Sequence, residues 1–191
     1  RILKQHPGIR TPGAWDGFEL SVRAILGQQV SVAAATTMAG RLASRFGTPV
    51  EAPNGLNRIF PSPGQLVAAP IEEVGVIGAR AETIRTLARA VGAGSLRLAT
   101  TSSAGTVTAL QALPGIGPWT AQYIAMRALG EPDAFPSGDL VLRRMAGGCT
   151  ARELERRSEP WRPWRAYAVM LLWQASNEQS IPIGNHAATP A

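Results

Sequence analysis

One segment of the chain combines residues that are suited to holding a phosphate. It is Leu113–Ala121, which reads Leu-Pro-Gly-Ile-Gly-Pro-Trp-Thr-Ala between two helical patterns. Its two glycines allow a tight turn with uncovered backbone N–H groups, and Pro118 can begin the next helix because that position needs no N–H. The positive N-terminus of a helix attracts a phosphate. We predict an anion-binding turn rather than a plain connection, with contacts at Gly115, Ile116, Gly117 and Thr120.

A second candidate is the carboxylate of Asp139, which follows Phe135-Pro136-Ser137-Gly138. From the residues alone, Asp before Leu-Val-Leu-Arg-Arg predicts the N-cap of a helix. Hydrogen bonds from helix N–H groups favour the charged form of a carboxylate. Such an anion can stabilise a developing positive charge and orient water, so capping and catalysis are compatible.

The scarce residues exclude several classes of chemistry. The single cysteine, Cys149, rules out an internal disulfide, a four-cysteine zinc site and an iron–sulfur cluster, and it fits a reducing intracellular compartment. His6 and His186 lie near opposite ends, away from any serine or cysteine pattern that would indicate a nucleophile and its base. Lys4 is the one lysine beside 18 arginines, which makes a Schiff-base mechanism unexpected.

The elements that must position these residues are helical. The 191 residues carry 35 Gly and Pro and a formal charge of +6, which suits a polyanionic partner, and no apolar run approaches a membrane span. Apolar spacing and capping signals predict an all-α architecture of roughly eight to ten short helices. The predicted helices cover 16–26, 31–46, 63–69, 71–75, 79–91, 106–112, 118–129, 139–146, 151–158 and 162–174. We expect one catalytic region over 1–176 and a mobile tail over 177–191.

The hairpin string resembles the helix-hairpin-helix motif of the DNA glycosylase superfamily, in which a Gly/Pro-rich loop leads to an aspartate where Asp139 stands. The stretches Phe18–Ser31 and Trp161–Ala168 are similar to the 3-methyladenine DNA glycosylase II branch, which excises alkylated bases. The resemblance covers about residues 7–176. It implies two helical lobes around a cleft and Asp139 as the catalytic residue.

The resemblance also implies an aromatic pocket for an extruded base. Trp173 matches the base-stacking tryptophan of the branch, and Trp119 and Tyr123 share one face of the second hairpin helix. Core packing is the alternative, above all for Trp119. An N3- or N7-alkylated purine is cationic, and an electron-rich ring attracts a cation face-on.

Further site residues are implied by the resemblance alone. The family uses the loop that contains Gln29 to push a side chain into the gap left by the base, although that residue is often apolar there; a polar capping loop is the alternative. The backbone carbonyls of Gln111, Leu113 and Ile116 match a monovalent-cation site for Na⁺ or K⁺, and no other cofactor is expected. Between 143 and 165, seven arginines face three glutamates, and some of them are expected to meet phosphates while others form a solvated face.

The second hairpin helix, Thr120–Ala125, lacks the lysine of the strand-cleaving glycosylases. We therefore expect simple hydrolysis of the N-glycosidic bond in duplex DNA that carries alkylated bases, without lyase activity. The alternatives are a non-catalytic hairpin module that only binds DNA and a glycosylase of different base specificity.

Family members in bacteria carry a β-rich domain ahead of this region, and some are fused behind a methyl-DNA repair regulator. This chain carries no such β domain, and because it begins at Arg1 we expect it to be the catalytic part of a longer protein. We further expect a monomer in the bacterial cytoplasm, associated with the nucleoid.

Overall fold

The computed structural model describes residues 6–52, 55–99 and 103–180. Over these residues the chain forms nine α-helices and one two-residue antiparallel strand pair, which confirms the all-α prediction. The helices are α1 (Gly17–Leu26), α2 (Val32–Phe46), α3 (Pro63–Leu66), α4 (Gly78–Gly92), α5 (Ser103–Gln111), α6 (Pro118–Ala128), α7 (Leu140–Met145), α8 (Ala151–Ser158) and α9 (Arg165–Ser180). The strands are β1 (Thr48–Pro49) and β2 (Arg58–Ile59), and 3₁₀ turns cover Ile71–Val74 and Glu159–Trp161.

The helix starts follow the capping signals of the sequence. The side chain of Ser31 accepts the N–H of Ala34 at the start of α2. Ser62 and Thr150 each form a full capping box, at the starts of α3 and α8. Each such cap stabilises its helix by about 1 kcal/mol. Local side-chain hydrogen bonds therefore fix where these elements begin.

The last helix differs most from its prediction. It begins at Arg165 rather than Arg162, because the 3₁₀ turn Glu159–Trp161 and Pro163 come first. It extends to Ser180, so 177–180 are helical although they were predicted to belong to a mobile tail. Residues 181–191 lie outside the described part of the chain. The predicted helix over 63–69 is shorter, ending at Leu66, and 71–75 is a 3₁₀ turn.

Two hydrophobic clusters form the interior, and α6 contributes to both. Ala121 and Ile124 belong to the larger cluster, built mainly from α1, α2 and α4. Ala125 and Met126 belong to the smaller cluster, which includes residues of α7, α8 and α9. Tyr123 packs against both clusters. The helix that follows the hairpin is thus the shared wall of the two clusters.

An ion-pair network ties α9 to the loop before α7. The buried guanidinium of Arg165 donates from Nε and Nη2 to the two carboxylate oxygens of Asp133, at 2.8 and 2.9 Å, and from Nη1 to Glu155 at 2.7 Å. Arg162 also pairs with Asp133 and with Glu159, and its hydrogen bond holds the pKa of the Glu159 carboxyl below the ordinary value. The loop leading to Asp139 is therefore anchored to α9.

No helix within the described ranges has the length and apolar character needed to cross a membrane.

Candidate functional site

The Gly115–Gly117 turn is a tight hairpin between α5 and α6. The Ile116 N–H donates to the Leu113 carbonyl at 3.1 Å, and the Ile116 side chain is buried in the larger cluster. Gly115 has a φ of +86°, and a Cβ there would lie 2.0 Å from Thr83 Oγ1 on α4. Gly117 caps α6 without any side-chain hydrogen bond, and a Cβ there would meet nothing within 4 Å. The first glycine is thus required by packing, whereas the second leaves its backbone open.

Asp139 caps α7 as predicted, and its carboxylate collects four hydrogen bonds. Oδ1 accepts the N–H groups of Val141 and Leu142, both at 2.9 Å, and the indole Nε1–H of Trp173 at 3.3 Å. Oδ2 accepts the indole Nε1–H of Trp119 at 3.1 Å. These contacts come from three separate helices and hold the half-buried carboxylate in one orientation.

The three predicted pocket aromatics lie together beside this carboxylate. Trp119 stacks on Tyr123 with ring centroids 5.4 Å apart, and Tyr123 meets Trp173 at 6.2 Å. All three rings are half-buried. Trp119 lines an open cleft, so it is not simply a core residue. The three aromatic rings and the Asp139 carboxylate are therefore close together.

The cleft has a volume of about 830 Å³. It separates the hairpin from the start of α7. Its walls are the loop between α1 and α2, the hairpin with the start of α6, and the approach to α7; the lining residues are 27–31, Gly115, Gly117, Trp119, Thr120 and 138–141. Leu140 is 72% exposed at its edge. Six of the predicted site residues therefore line one opening: Gln29, Gly115, Gly117, Trp119, Thr120 and Asp139. The side chain of Ile116 is buried instead, and Tyr123 and Trp173 are not among the lining residues.

Gln29 lies at the mouth of this cleft and is exposed. Its φ is +55°, the one positive φ of a non-glycine residue in the described ranges. Thr120 is only 2% exposed, and its Oγ1 accepts the side-chain amide of Gln28. The Thr120 hydroxyl is therefore engaged in a hydrogen bond within the protein. Its backbone N–H, at the start of α6, is the group that could contact an anion.

The carbonyls proposed for a monovalent cation lie at the end of α5, at Gln111, and in the turn that follows it, at Leu113 and Ile116. Leu113 already accepts one hydrogen bond there, from Ile116, and a carbonyl oxygen has a second lone pair. Among the described residues, no group of three or more His, Cys, Asp or Glu side chains could hold a metal ion. The cation site that the resemblance implies at Gln111, Leu113 and Ile116 consists of backbone oxygens.

The arginine-rich stretch is used largely within the protein. Arg143 and Arg157 donate to the carbonyls of Cys149 and Ala146, at 2.9 and 2.8 Å. Arg162 and Arg165 form the network with Asp133. Four of the seven arginines in this stretch therefore have internal partners that the charge count did not predict.

Four hydrogen bonds near the site carry no sequence signal that would have predicted them. Gln28 donates to Thr120 and to the Gly115 carbonyl, and Arg80 donates to the Gln28 carbonyl. Gln122 on α6 accepts the N–H of Phe135, in the loop that leads to Asp139. A lone Gln or Arg at these positions belongs to no motif, and its partners lie 13 to 92 residues away in the chain.

Comparison with known proteins gives consistent results. Residues 22–163 match the family model described as HhH-GPD superfamily base excision DNA repair protein. The chain is 46% identical over 178 residues to a Mycobacterium tuberculosis protein named a probable bifunctional transcriptional activator/DNA repair enzyme AlkA, covering 90% of this chain and 36% of that protein. It is 36% identical to DNA-3-methyladenine glycosylase 2 of Escherichia coli, covering 94% of this chain and 64% of that enzyme.

A solved structure supports the same likeness. A 3-methyladenine DNA-glycosylase from Archaeoglobus fulgidus superposes with a TM-score of 0.79 at 25% identity, over 94% of this chain and 66% of that one. The chain spans about a third of the M. tuberculosis protein and just under two thirds of the E. coli enzyme. The resemblance expected from the hairpin, Asp139 and the two flanking stretches is confirmed. The chain belongs to the HhH-GPD superfamily of base excision DNA repair proteins.

Proposed function

We propose that this chain is the catalytic part of a monofunctional DNA glycosylase that extrudes alkylated purines of the 3-methyladenine type from duplex DNA and hydrolyses their N-glycosidic bond. The observation that carries the proposal is the Asp139 carboxylate, held by two helix N–H groups and two indole N–H groups at the wall of an open cleft. The names of the relatives in E. coli and A. fulgidus favour the same substrate class.

The two oxygens of Asp139 would have different roles. Oδ1 accepts three hydrogen bonds, whereas Oδ2 accepts one, from Trp119. A carboxylate oxygen offers about two lone pairs, so Oδ2 has capacity left. Oδ2 is then the oxygen that faces the deoxyribose, stabilises the positive charge that develops as the bond to the base breaks, and orients the attacking water.

The aromatic group suits a cationic base. The ring centroid of Tyr123 lies 5.4 Å from that of Trp119 and 6.2 Å from that of Trp173. A cationic purine face gains about 0.5–2 kcal/mol from such a ring. Alkylation at N3 or N7 already weakens the glycosidic bond, so the mechanism needs no strong general acid, and the sequence has no histidine between His6 and His186.

DNA would be held along the cleft rim. The uncapped start of α6 and the open backbone at Gly117 are suited to one phosphate, with the Gln111, Leu113 and Ile116 carbonyls able to hold Na⁺ or K⁺ against it. Gln29 at the cleft mouth is placed to fill the gap left by the extruded base. Extrusion costs a few kcal/mol, which such a wedge offsets in part.

The lysine content supports hydrolysis without strand cleavage. Lys4 is the one lysine of the chain and α6 has none. Strand cleavage by a glycosylase of this type needs a lysine to form a Schiff base with the sugar. Borohydride added during the reaction should therefore trap no covalent protein–DNA adduct, and a clear adduct would refute this part of the proposal.

Methylated duplex DNA tests the whole proposal. Incubation with the protein should release free 3-methyladenine or 7-methylguanine, identified by chromatography. Binding without release would favour the non-catalytic module, and release of other bases alone would favour a different specificity.

Asp139→Asn is the matched catalytic variant, because asparagine retains the N-cap hydrogen bonds. We expect excision under single-turnover conditions to fall by a factor of about 100 or more while damaged duplex still binds. Excision at the wild-type rate would remove Asp139 from the mechanism.

A further inference from the structure

The side chain and backbone of Gln28 join three elements around the cleft. Its Nε2 donates to the Gly115 carbonyl at 3.0 Å and to Thr120 Oγ1 at 2.9 Å, which ties it to the hairpin and to α6. Its own carbonyl accepts the Arg80 guanidinium of α4 at 2.7 Å. Gln28 is half-buried, so these bonds lie in a partly desolvated position.

The residue that follows is held in an unfavourable backbone conformation. Gln29 has a φ of +55°, a left-handed value that side chains other than Asn, Asp and Gly rarely adopt. The loop is fixed on one side because the Gly27 N–H donates to the Arg23 carbonyl, and on the other because Ser31 caps α2. Such a conformation persists where surrounding contacts determine it, and the Gln28 contacts lie directly beside it.

We propose that Gln28 is a positioning residue, which fixes Gln29 at the cleft mouth and couples its insertion into DNA to backbone binding at the hairpin. This inference rests on the proposed function. A phosphate at the start of α6 would contact the backbone beside Gly115 and Thr120, and both of these accept hydrogen bonds from Gln28. Because coupling between two sites is reciprocal, Gln29 seated beside an extruded base would in turn strengthen the hairpin contact.

The coupling gives the enzyme a specific advantage. A hairpin that grips any phosphate binds undamaged DNA, and the energy of that contact is not by itself available for extrusion. If Gln28 connects the hairpin rigidly to Gln29, part of the binding free energy of the phosphate contact can favour insertion of Gln29 into the base stack. Gln28 is therefore expected to affect excision and insertion more than affinity for undamaged duplex.

Gln28→Met tests this link, because methionine has a similar length and no amide donor. Under single-turnover conditions with methylated duplex, we expect excision to slow about tenfold, as two partly buried hydrogen bonds are lost. Affinity for undamaged duplex should change less than about twofold. Equal loss in both measurements, or no loss in either, would overturn the inference.

A second variant separates positioning from general stability. In Gln29→Gly the wedge side chain is removed and the left-handed conformation costs nothing. Adding Gln28→Met to that variant should slow excision no further, since no side chain remains to be positioned. Independent, multiplying effects would contradict the coupling, and the free energy of unfolding of each variant, measured in urea, shows whether the fold is retained.

Insertion can also be followed without excision. A duplex with 2-aminopurine beside a stable abasic analogue should brighten when Gln29 enters the stack, and Gln28→Met should reduce that change at saturating protein. If the wild-type protein releases no base but gives this Gln28-dependent signal, the proposed reaction fails while the inference stands. If the protein releases base but the fluorescence change is the same in Gln28→Met, the proposed reaction stands and the inference about Gln28 fails.

Discussion

At the scale of single residues, the site depends on how two indole groups are used. Trp119 and Trp173 are separated by 54 positions, yet both direct their N–H groups to Asp139. Each indole therefore contacts the carboxylate through its N–H edge, and under the proposed function a ring face would contact the extruded base. The sequence pattern predicted Asp139 as an N-cap, and the family resemblance predicted the site roles of Asp139 and the aromatics. Neither predicted the hydrogen bonds between them, because these depend on the relative placement of α6, α7 and α9.

Trp119→Phe separates the two roles of this residue. The ring can still stack on Tyr123, while the hydrogen bond to Asp139 Oδ2 is lost. We expect single-turnover excision to fall roughly 10- to 100-fold, since the oxygen assigned to catalysis is no longer oriented. Tyr123→Phe is the control, because it keeps the ring and should change the rate little. A Trp119→Phe rate equal to wild type would show that the hydrogen bond is not used.

Trp173→Ala should distinguish cationic from neutral bases. Loss of the ring removes an attraction worth about 1–2 kcal/mol for a cationic purine, so excision of 7-methylguanine should fall about tenfold more than excision of hypoxanthine. Trp173→Phe keeps a ring without the N–H and should retain part of this preference. Equal losses for the two bases would contradict the cation–π account.

At the scale of elements, signals within a few residues were sufficient to predict helix starts. Ser31, Ser62, Asp139 and Thr150 each cap the helix predicted from their own local pattern. Local sequence signals did not predict where α9 ends. The apolar spacing stops near Gln174, yet the helix continues to Ser180 with polar residues, among them Gln174 and Glu178, which are hydrogen-bonded to each other.

The hairpin offers a matched pair of glycine variants. Gly115→Ala should destabilise the protein by about 2–4 kcal/mol, because φ is +86° and the new Cβ would press on Thr83. Gly117→Ala should leave the free energy of unfolding almost unchanged, since nothing lies within 4 Å. Its affinity for duplex DNA should nevertheless fall several-fold if a phosphate approaches that backbone. Urea unfolding and duplex titration measure the two effects, and an unchanged affinity for Gly117→Ala would place the phosphate elsewhere.

At the scale of the whole molecule, the site lies where the two hydrophobic clusters meet. Its hairpin belongs to the larger cluster through Ile116, while α9, which carries Trp173, packs in the smaller one. The family resemblance predicted residues 1–176 as one catalytic region. The amino-acid composition could not predict which contacts hold the two hydrophobic clusters together. The excess of arginine over glutamate between 143 and 165 predicted surface roles, but several of these arginines hydrogen-bond within the protein.

The Arg165–Asp133 pair is the clearest case, because it links α9 to the loop that ends at Asp139. Arg165 is 6% exposed, and Asp133 accepts from both Nε and Nη2. Asp133→Asn would leave that guanidinium with Glu155 as its remaining carboxylate partner within hydrogen-bonding distance. Because a buried charge that loses its partner is costly, we expect the free energy of unfolding in urea to fall by about 2 kcal/mol.

Arg162→Gln is the control, since it breaks an exposed ion pair to the same Asp133 and should have little effect. If the Arg165–Asp133 pair also sets the distance between Trp173 and Asp139, Asp133→Asn should slow excision even at temperatures where the protein remains folded. A variant that loses stability but excises at the wild-type rate would limit Asp133 to holding the fold. Equal losses of unfolding free energy for Asp133→Asn and Arg162→Gln would show that the buried Arg165–Asp133 pair stabilises the protein no more than the exposed Arg162–Asp133 pair does.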